Sequence, residues 1–404
     1  MSGELPEGWR TASLGSIIDF VNGYAFKPED WRDVGTPIIR IQNLNGSDAF
    51  NYFAGNIPER YHVRAGDLLF CWSGSRGTSF GARKWSGPLG FLNQHIFRCV
   101  VSRDLDFDFA YFLLEGMTGA IEAEAHGGGG LVHIKKSEIV KFEAFLPPLD
   151  EQRRIAEVLR SVDETIAQTK VAIEQASRAI EGMLQRLFVE GVGHSDFKDG
   201  HSTPVPTSWD EKPLGDLAAT PITYGVVQPG PDVADGVPFV RGGDFPNGRI
   251  DIGALRNIGK DVASQYRRTQ LRGGEIVVSL VGYPGACAIV PDVLAGANIA
   301  RQAALIRPSA EILASYLYQF LRSPIGQDRL KKETIGSAQQ VINLRDLKEV
   351  IVAVPPKREQ DQIAAILADL DAFVELETAN LDKLTALKGS IAADLLSGHV
   401  RVPA

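Results

Sequence analysis

The run Pro147-Pro148-Leu149-Asp150-Glu151-Gln152-Arg153-Arg154-Ile155-Ala156 returns as Pro355-Pro356-Lys357-Arg358-Glu359-Gln360-Asp361-Gln362-Ile363-Ala364, displaced by 208 residues. Leu159 and Asp163 return as Leu367 and Asp371, which makes eight identities in the seventeen positions from Pro147 to Asp163. Unrelated sequence of ordinary composition gives about one. One supersecondary unit is therefore used twice, and the fold is read outward from it.

A long helical pattern follows each proline pair. In the first copy apolar positions step by four and three through Ile155, Leu159, Val162, Ile166, Thr169, Ile173, Ala176, Ile180, Met183 and Leu187, the spacing of a coiled-coil seam. The second copy keeps the register as Ile363, Leu367, Leu370, Val374, Glu377, Leu381, Leu384, Lys388, Ile391 and Leu395, with two charged interruptions. Roughly 37 residues at 1.5 Å each span roughly 55 Å. An apolar stripe of that length needs a partner, and the chain supplies one of equal length. The second helix must return across the intervening domain to meet the first, which predicts an antiparallel pair. The proline pairs block helix on their N-terminal side. Asp150 is expected to cap the first helix, whereas its counterpart Arg358 cannot, so the copies should differ in capping.

The globular parts repeat as well. Leu5-Pro6-Glu7-Gly8-Trp9 with Leu14-Gly15 is matched by Val205-Pro206-Thr207-Ser208-Trp209 with Leu214-Gly215. Strand-like runs at 37–41 and 67–72 are mirrored at 238–241 and 275–281. Residues 97–101 read as a further strand, 107–117 as a helix and 139–145 as a closing strand. The glycines at 127–130 predict a mobile turn; no Gly-Lys-Ser/Thr follows, so they are not a phosphate loop, and their counterpart at 336–339 has lost them. The offset of 208 pairs Gly66 with Gly274, Gly74 with Gly282, Gly77 with Gly285 and Gln94 with Gln302, setting Arg76 against Pro284 and His95 against Ala303. Similar scaffolds thus carry different surface chemistry. The expected fold class is α+β: two mixed α/β globular domains, at 1–146 and 192–354, separated and joined by long helices at 147–191 and 355–404 that pack as an antiparallel coiled coil with a pseudo-twofold repeat.

With 404 residues, 44% of them hydrophobic and 23% charged, the chain is too long for one compact domain. Cys71, Cys99 and Cys287 have no metal-ligand spacing and cannot all pair, which suits a reducing compartment. No signal-peptide pattern or membrane-spanning apolar run is present, so a cytoplasmic protein without membrane contact is expected.

The formal charge of −8 argues against nucleic acid only until it is divided. Residues 1–146 carry 14 basic and 17 acidic side chains, 147–191 carry 6 and 8, 192–354 carry 17 and 17, and 355–404 carry 5 and 8. From Leu68 to Arg103 there are five basic residues and no carboxylate, and local field is what a phosphate backbone meets. Arg76, on a glycine-bounded loop, is the candidate for bidentate contact with guanine, although a surface ion pair explains it equally well. Asn93, Gln94 and His95 are candidates for base edges, against the plainer reading that they close a turn. Arg83, Lys84, Arg267 and Arg268 suit phosphate better than bases. Arg241, Arg249 and Arg301 complete the candidate set.

Catalytic motifs are missing. The Pro-Pro pairs are preceded by Leu146 and Val354 and followed by Leu149 and Lys357, unlike the Asn/Asp-Pro-Pro-aromatic motif that holds a flipped base. There is no Walker motif. Ser73, Ser75 and His95 lack a nucleophile elbow, and His126 and His133 read as solvated loop histidines rather than metal ligands.

The order of variable unit, Pro-Pro-x-x-Glu-Gln-x-x-Ile-Ala helix, second variable unit and same helix resembles the specificity subunit of type I restriction-modification enzymes over essentially the whole chain. Trp72-Ser73-Gly74-Ser75-Arg76-Gly77-Thr78 followed by Asn93-Gln94-His95 is similar to one class of that family's target-recognition domains. The resemblance implies a non-catalytic DNA-recognition protein in which each variable unit reads one half of a split double-stranded DNA target and the helices act as spacer. It further implies two methyltransferase subunits as partners, and restriction/translocase subunits through the complex. S-adenosylmethionine, ATP and Mg would belong to those partners, with no cofactor in this chain. The alternative is a coiled-coil interaction scaffold without DNA affinity.

Overall fold

A computed structural model describes residues 5–128, 131–332, 334–335 and 341–402. The expected glycine turn falls partly, at 129–130, outside the described residues, and its counterpart at 336–339 wholly so. The chain forms two compact units, Met1–Lys170 with Asn380–Ala404, and Val171–Ala379.

The strands of the first unit are β1 (Arg10–Ser13), β2 (Ile18–Asn22), β3 (Thr36–Ile39), β4 (Asn51–Phe53), β5 (His62–Val63), β6 (Leu68–Cys71), β7 (Ser73–Ser75), β8 (Gly81–Lys84), β9 (Gly90–Leu92) and β10 (Ile96–Val101). Helix α1 (Phe107–Ala123), the hairpin β11 (His126–Gly128) and β12 (Leu131–His133), β13 (Glu143–Leu146) and helix α2 (Leu149–Leu187) follow. One sheet has the order β2-β10-β6-β8, a second β4-β3-β9-β5, a third β11-β12-β7, and β1 pairs with β13. Every side chain of β6, Leu68-Leu69-Phe70-Cys71, is buried, as a central strand covered on both faces requires. Asp106 caps α1 by accepting from the backbone N–H groups of Asp108 and Phe109. The helix lays Phe109, Phe112, Leu113, Leu114 and Ile121 on Leu68, Phe70, Ala82 and Phe97, in one core with Ile155, Ala156 and Leu159 of α2. The closing segment, expected as one strand over 139–145, is instead a single helical turn at Lys136–Ile139 followed by β13.

The second unit repeats this plan in β14 (Asp210–Pro213), β15 (Thr223–Tyr224), β16 (Val237–Val240), β17 (Arg256–Ile258), β18 (Ile276–Ser279), β19 (Cys287–Ile289), β20 (Asn298–Ile299), β21 (Ala303–Ile306), helix α3 (Ala314–Arg322), β22 (Ile351–Val354) and helix α4 (Lys357–Ser397). Its sheet β15-β21-β18-β19 matches β2-β10-β6-β8, its parallel pair β16/β20 matches β3/β9, and β14/β22 matches β1/β13.

Helix pairing is antiparallel in both units. In the first, Ile155 and Leu159 near the start of α2 share a core with Leu395 near the end of α4. In the second, Ile180 and Leu184 near the end of α2 share a core with Ile363 and Leu367 near the start of α4. Ile155, Leu159, Val162, Ile166, Ile173, Ile180 and Leu187 of α2 are buried or half-buried, as are Ile363, Leu367, Leu370, Val374, Leu381, Leu384, Ile391 and Leu395 of α4. Met183 is a correction: it is 40% exposed, and Leu184 takes its place in the seam. Toward its end α2 packs on Phe188 and Tyr316 of a globular core as well as on α4, which rotates the buried stripe by one residue.

The two charged interruptions of the second seam are placed differently. Lys388 bonds Glu115 of α1 at 2.9 Å and Asp163 of α2 at 2.7 Å, so it joins three helices. Glu377 is half-buried. In the second unit Asp371, the repeat partner of Asp163, pairs with Arg322 of α3 and accepts from Gln319 at 3.0 Å.

The Glu-Gln of the repeated motif is a buried latch. Trp9 donates its indole N–H to Glu151 at 3.2 Å, and Trp209 donates to Glu359 at 2.9 Å. Gln152 donates to the carbonyls of Pro147 and Asp104 and accepts from the Asp106 N–H. Gln360 does the same with Pro355, Glu311 and Leu313. This overturns the capping expectation: α2 starts at Leu149, so Asp150 lies inside its first turn. In both copies the glutamine, not an aspartate, ties the helix start to the segment ahead of α1 or α3. The carboxylates are completed by different groups. Arg401 bonds both oxygens of Glu151, at 2.6 and 2.7 Å, whereas the Val192 N–H and the His194 ring reach one oxygen of Glu359.

The hydrogen bond from Arg401, with smaller help from Trp9, holds the Glu151 carboxyl below the usual glutamate range against the opposing effect of burial. A carboxyl lowered in the folded state contributes stability above its unfolded pKa of about 4.3 and loses it as pH falls through the lowered value. Glu151→Gln is therefore expected to flatten the acid limb of stability, read by urea melts from neutral pH downward. An unchanged acid limb would count against the latch.

Candidate nucleic-acid interface

The candidate polar residues of the first unit gather where β6 leaves its sheet and β10 enters it. Trp72 follows β6; its N–H donates to the His95 carbonyl, and its carbonyl accepts from Ile134. That brings three pieces side by side: the loop from β7 to β8, the turn from β9 to β10, and the hairpin β11–β12, which pairs with β7. Asn45 donates to the Thr78 carbonyl and ties the segment after β3 to the same loop.

The β9–β10 turn is Asn93-Gln94-His95-Ile96, closed by the Ile96 N–H donating to the Asn93 carbonyl. Asn93 is fixed by its own N–H on the Ile39 carbonyl and by a bridge to Tyr24. Gln94 is exposed, and its amide nitrogen lies 3.3 Å from the His95 ring. His95 is half-buried against Trp72, with ring centroids 5.5 Å apart. Its Nδ1 and the Trp72 Nε1 are buried without a protein partner. Burial, reinforced by His133, lowers the His95 pKa. Above that lowered value the ring is neutral and offers one donor and one acceptor.

Several basic candidates are engaged by other groups of the protein. Arg76 donates to the carbonyls of Glu122 and Ala125 at 2.7 and 3.1 Å, closing the C-terminal end of α1. Glu122 in turn accepts from the Gly77 N–H at 2.6 Å. Lys84 pairs with Asp108 at 2.6 Å above the Tyr111 ring. Arg83 is half-buried and donates to the Ala82 carbonyl. Arg241 grips the buried carboxylate of Asp244, and Arg249 pairs with Glu375. Arg267 and Arg268 stand exposed on a 3-10 turn with no side-chain partner among the described residues.

Arg301 is placed by a turn equivalent to the one that carries Gln94. Ala300 donates to the Val240 carbonyl, Ala303 closes the turn on the Ala300 carbonyl, and Leu280 donates to the Gln302 carbonyl. Each bond reproduces one at Asn93, Ile96 or Trp72. Asn93 therefore matches Ala300, Gln94 matches Arg301 and His95 matches Gln302. This corrects the alignment read from the constant offset, which set Gln94 against Gln302 and His95 against Ala303: the second unit reaches its turn with one residue fewer. Arg301 is exposed, without a side-chain partner among the described residues.

His126 and His133 face each other across the hairpin, and His126 lies 3.3 Å from Glu138. Among the described residues no His, Cys, Asp and Glu cluster fit to hold a metal is found. The thiols of Cys71, Cys99 and Cys287 are buried and unpaired, and burial pushes Cys71 and Cys287 up to about 12 and Cys99 still higher. Among the described residues no helix is long and apolar enough to cross a membrane.

The signature of the type I restriction modification DNA specificity domain matches residues 6–177 and again 206–386. The specificity subunit of the type I restriction enzyme EcoBI from Escherichia coli is 31% identical over 98% of this chain and 86% of its own length. The MjaVIII specificity subunit of Methanocaldococcus jannaschii is 24% identical over 98% of this chain and 94% of its own. Among solved structures, the type I restriction-modification S subunit from M. genitalium has the same fold, with a TM-score of 0.59 at 17% identity over 98% of both chains. A chain from a study of complex assembly and conformational transition in the type I R-M system aligns with a TM-score of 0.63 at 17% identity, over 98% of this chain and all of that one.

Proposed function

The chain belongs to the family of type I restriction-modification DNA specificity subunits, and from that premise we propose that each of its two globular domains reads one half of a split double-stranded DNA sequence. On this reading residues 1–146 and 192–354 are the readers. The long helices α2 and α4, within the segments 147–191 and 355–404, set the distance between the two half-sites and receive two methyltransferase subunits, through which the restriction/translocase subunits join. The chain supplies recognition, and the chemistry with its S-adenosylmethionine, ATP and Mg resides in the partners.

One observation carries the proposal. The same rigid turn is built twice, and it presents Gln94-His95 in one unit and Arg301-Gln302 in the other. A duplicated scaffold with unlike polar side chains at one position suits two readers of unlike sequence, since amides and guanidinium groups recognise the edges of different bases. Arg267, Arg268 and their exposed neighbours suit phosphate, where contact positions the protein without specifying bases.

The test is DNA affinity of the chain, assembled with its methyltransferase subunits, measured across salt concentrations. Affinity falling linearly on a double-logarithmic salt plot, with a specific sequence held more tightly than random DNA, supports the proposal. Absence of DNA binding at every salt concentration favours the scaffold alternative.

A further inference from the structure

We propose that Gln94 and Arg301 are the paired specificity-determining residues of the two readers, Gln94 requiring an adenine in one half-site and Arg301 a guanine in the other. The assignment rests on the DNA-reading function and adds to it which residue reads which class of base.

The first ground is position. Gln94 and Arg301 occupy the same place in equivalent turns, between a residue anchored on the neighbouring strand (Asn93 or Ala300) and one whose carbonyl accepts from the residue just past the central strand (Trp72 to His95, Leu280 to Gln302). Both ends of each turn are therefore fixed by backbone hydrogen bonds to the sheet strands or to the residue that follows one. A side chain on such a turn reaches out from an immobile base, which base-edge recognition needs and a floppy loop does not give.

Availability is the second ground. Arg76, Lys84, Arg241 and Arg249 have donors engaged by other groups of the protein, helix-end carbonyls or carboxylates, the Arg249 pair lying at the surface. Among the described residues the Gln94 side chain has a polar partner in its neighbour His95 alone, and Arg301 has no side-chain partner. Arg267 and Arg268 are also open, but their short 3-10 turn is the counterpart of Glu59–Tyr61 in the first unit, where Arg60 stands opposite Arg268; a cation kept in both units suits phosphate rather than unlike bases.

Chemistry supplies the third. A carboxamide matches the N6 donor and N7 acceptor of adenine, and a guanidinium matches the O6 and N7 acceptors of guanine, each through two parallel hydrogen bonds. In the first unit the His95 ring stands beside Gln94, and in the second Gln302 takes its place, so each turn carries a second polar side chain next to the first.

The experiment maps methylated sequences in cells carrying the chain with its partner subunits, for the natural chain, Gln94→Ala, Arg301→Ala and Arg301→Lys. Expected is loss of the base requirement at one position of one half-site in Gln94→Ala, and at one position of the other half-site in Arg301→Ala. The discarded preference amounts to roughly tenfold or more at that position. Arg301→Lys should relax the same position, because the charge survives while the two-pronged geometry is lost. Since both side chains are exposed, thermal melts of the variants should match the natural chain. If Arg301→Ala keeps every base requirement, or lowers methylation of all sites alike while Arg301→Lys restores it, Arg301 is a phosphate contact and the assignment is overturned by itself. If the natural complex modifies no split sequence, the DNA-reading function falls and takes this assignment with it.

Discussion

Inserting four residues after Thr169 and four after Glu377 is expected to lengthen the spacer of the recognition sequence by one or two base pairs and leave both half-sites unchanged. Four residues advance an α-helix by roughly 6 Å and turn it by about 40°, because they slightly exceed one turn of 3.6 residues. A step of B-DNA advances about 3.4 Å and turns about 36°. The added rotation matches one base pair, and the added length allows one or two. A coiled coil absorbs a four-residue stutter by local unwinding without losing its seam. Both insertion points lie within three residues of where the chain divides into its compact units, at Lys170 and Ala379, so neither globular core is cut. The readout is the modified sequence in vivo. An active variant with the original spacer, or with altered half-site bases, would falsify the ruler.

Gln152→Ala and Gln360→Ala should each destabilise mainly the unit that contains the substitution. Each side chain makes three hydrogen bonds to backbone groups at the junction of a long helix with its globular domain. Losing three such bonds, with their partners left in a largely buried place, costs about 3 kcal/mol. For a unit of about 200 residues that lowers the melting temperature by roughly 6 to 12 °C. Calorimetry on the two variants checks this. A shift below about 1 °C in both would show that the glutamine bonds are replaced by water at no cost and that the latch is not structural.

Much of the architecture was legible because it depends on counts and periods. The repeat, the seam and the strands at 37–41 and 67–72 follow from spacing and hydrophobic pattern, which backbone geometry enforces locally. A heptad count puts Met183 in the seam because it assumes a single partner helix, whereas the end of α2 also packs on Phe188 and Tyr316. Residue type marks Asp150 as a cap, while the real tie is a glutamine side chain reaching a loop some 46 residues away in sequence. The turn equivalence was hidden by a single deleted residue that a constant offset steps over. Arg76 shows the harder limit. Nothing in its neighbourhood announces that the end of α1, 46 to 49 residues along the chain, will take its guanidinium. The alternation of tied and open cations that singles out Arg301 belongs to tertiary structure.

Lys388 bears on the error rate of measurement. Two helices with apolar residues every seven positions can slide past one another by one heptad and still bury the same kinds of side chain, a slip of roughly 10 Å or about three base pairs. An all-apolar seam would therefore tolerate several alignments of similar energy. A lysine held by Glu115 and Asp163 finds Asp163 in one alignment only, and a heptad to either side of that carboxylate stand Ala156 and Lys170. The charged interruption that weakens the pattern on paper thus removes the wrong lengths from the set the chain can adopt.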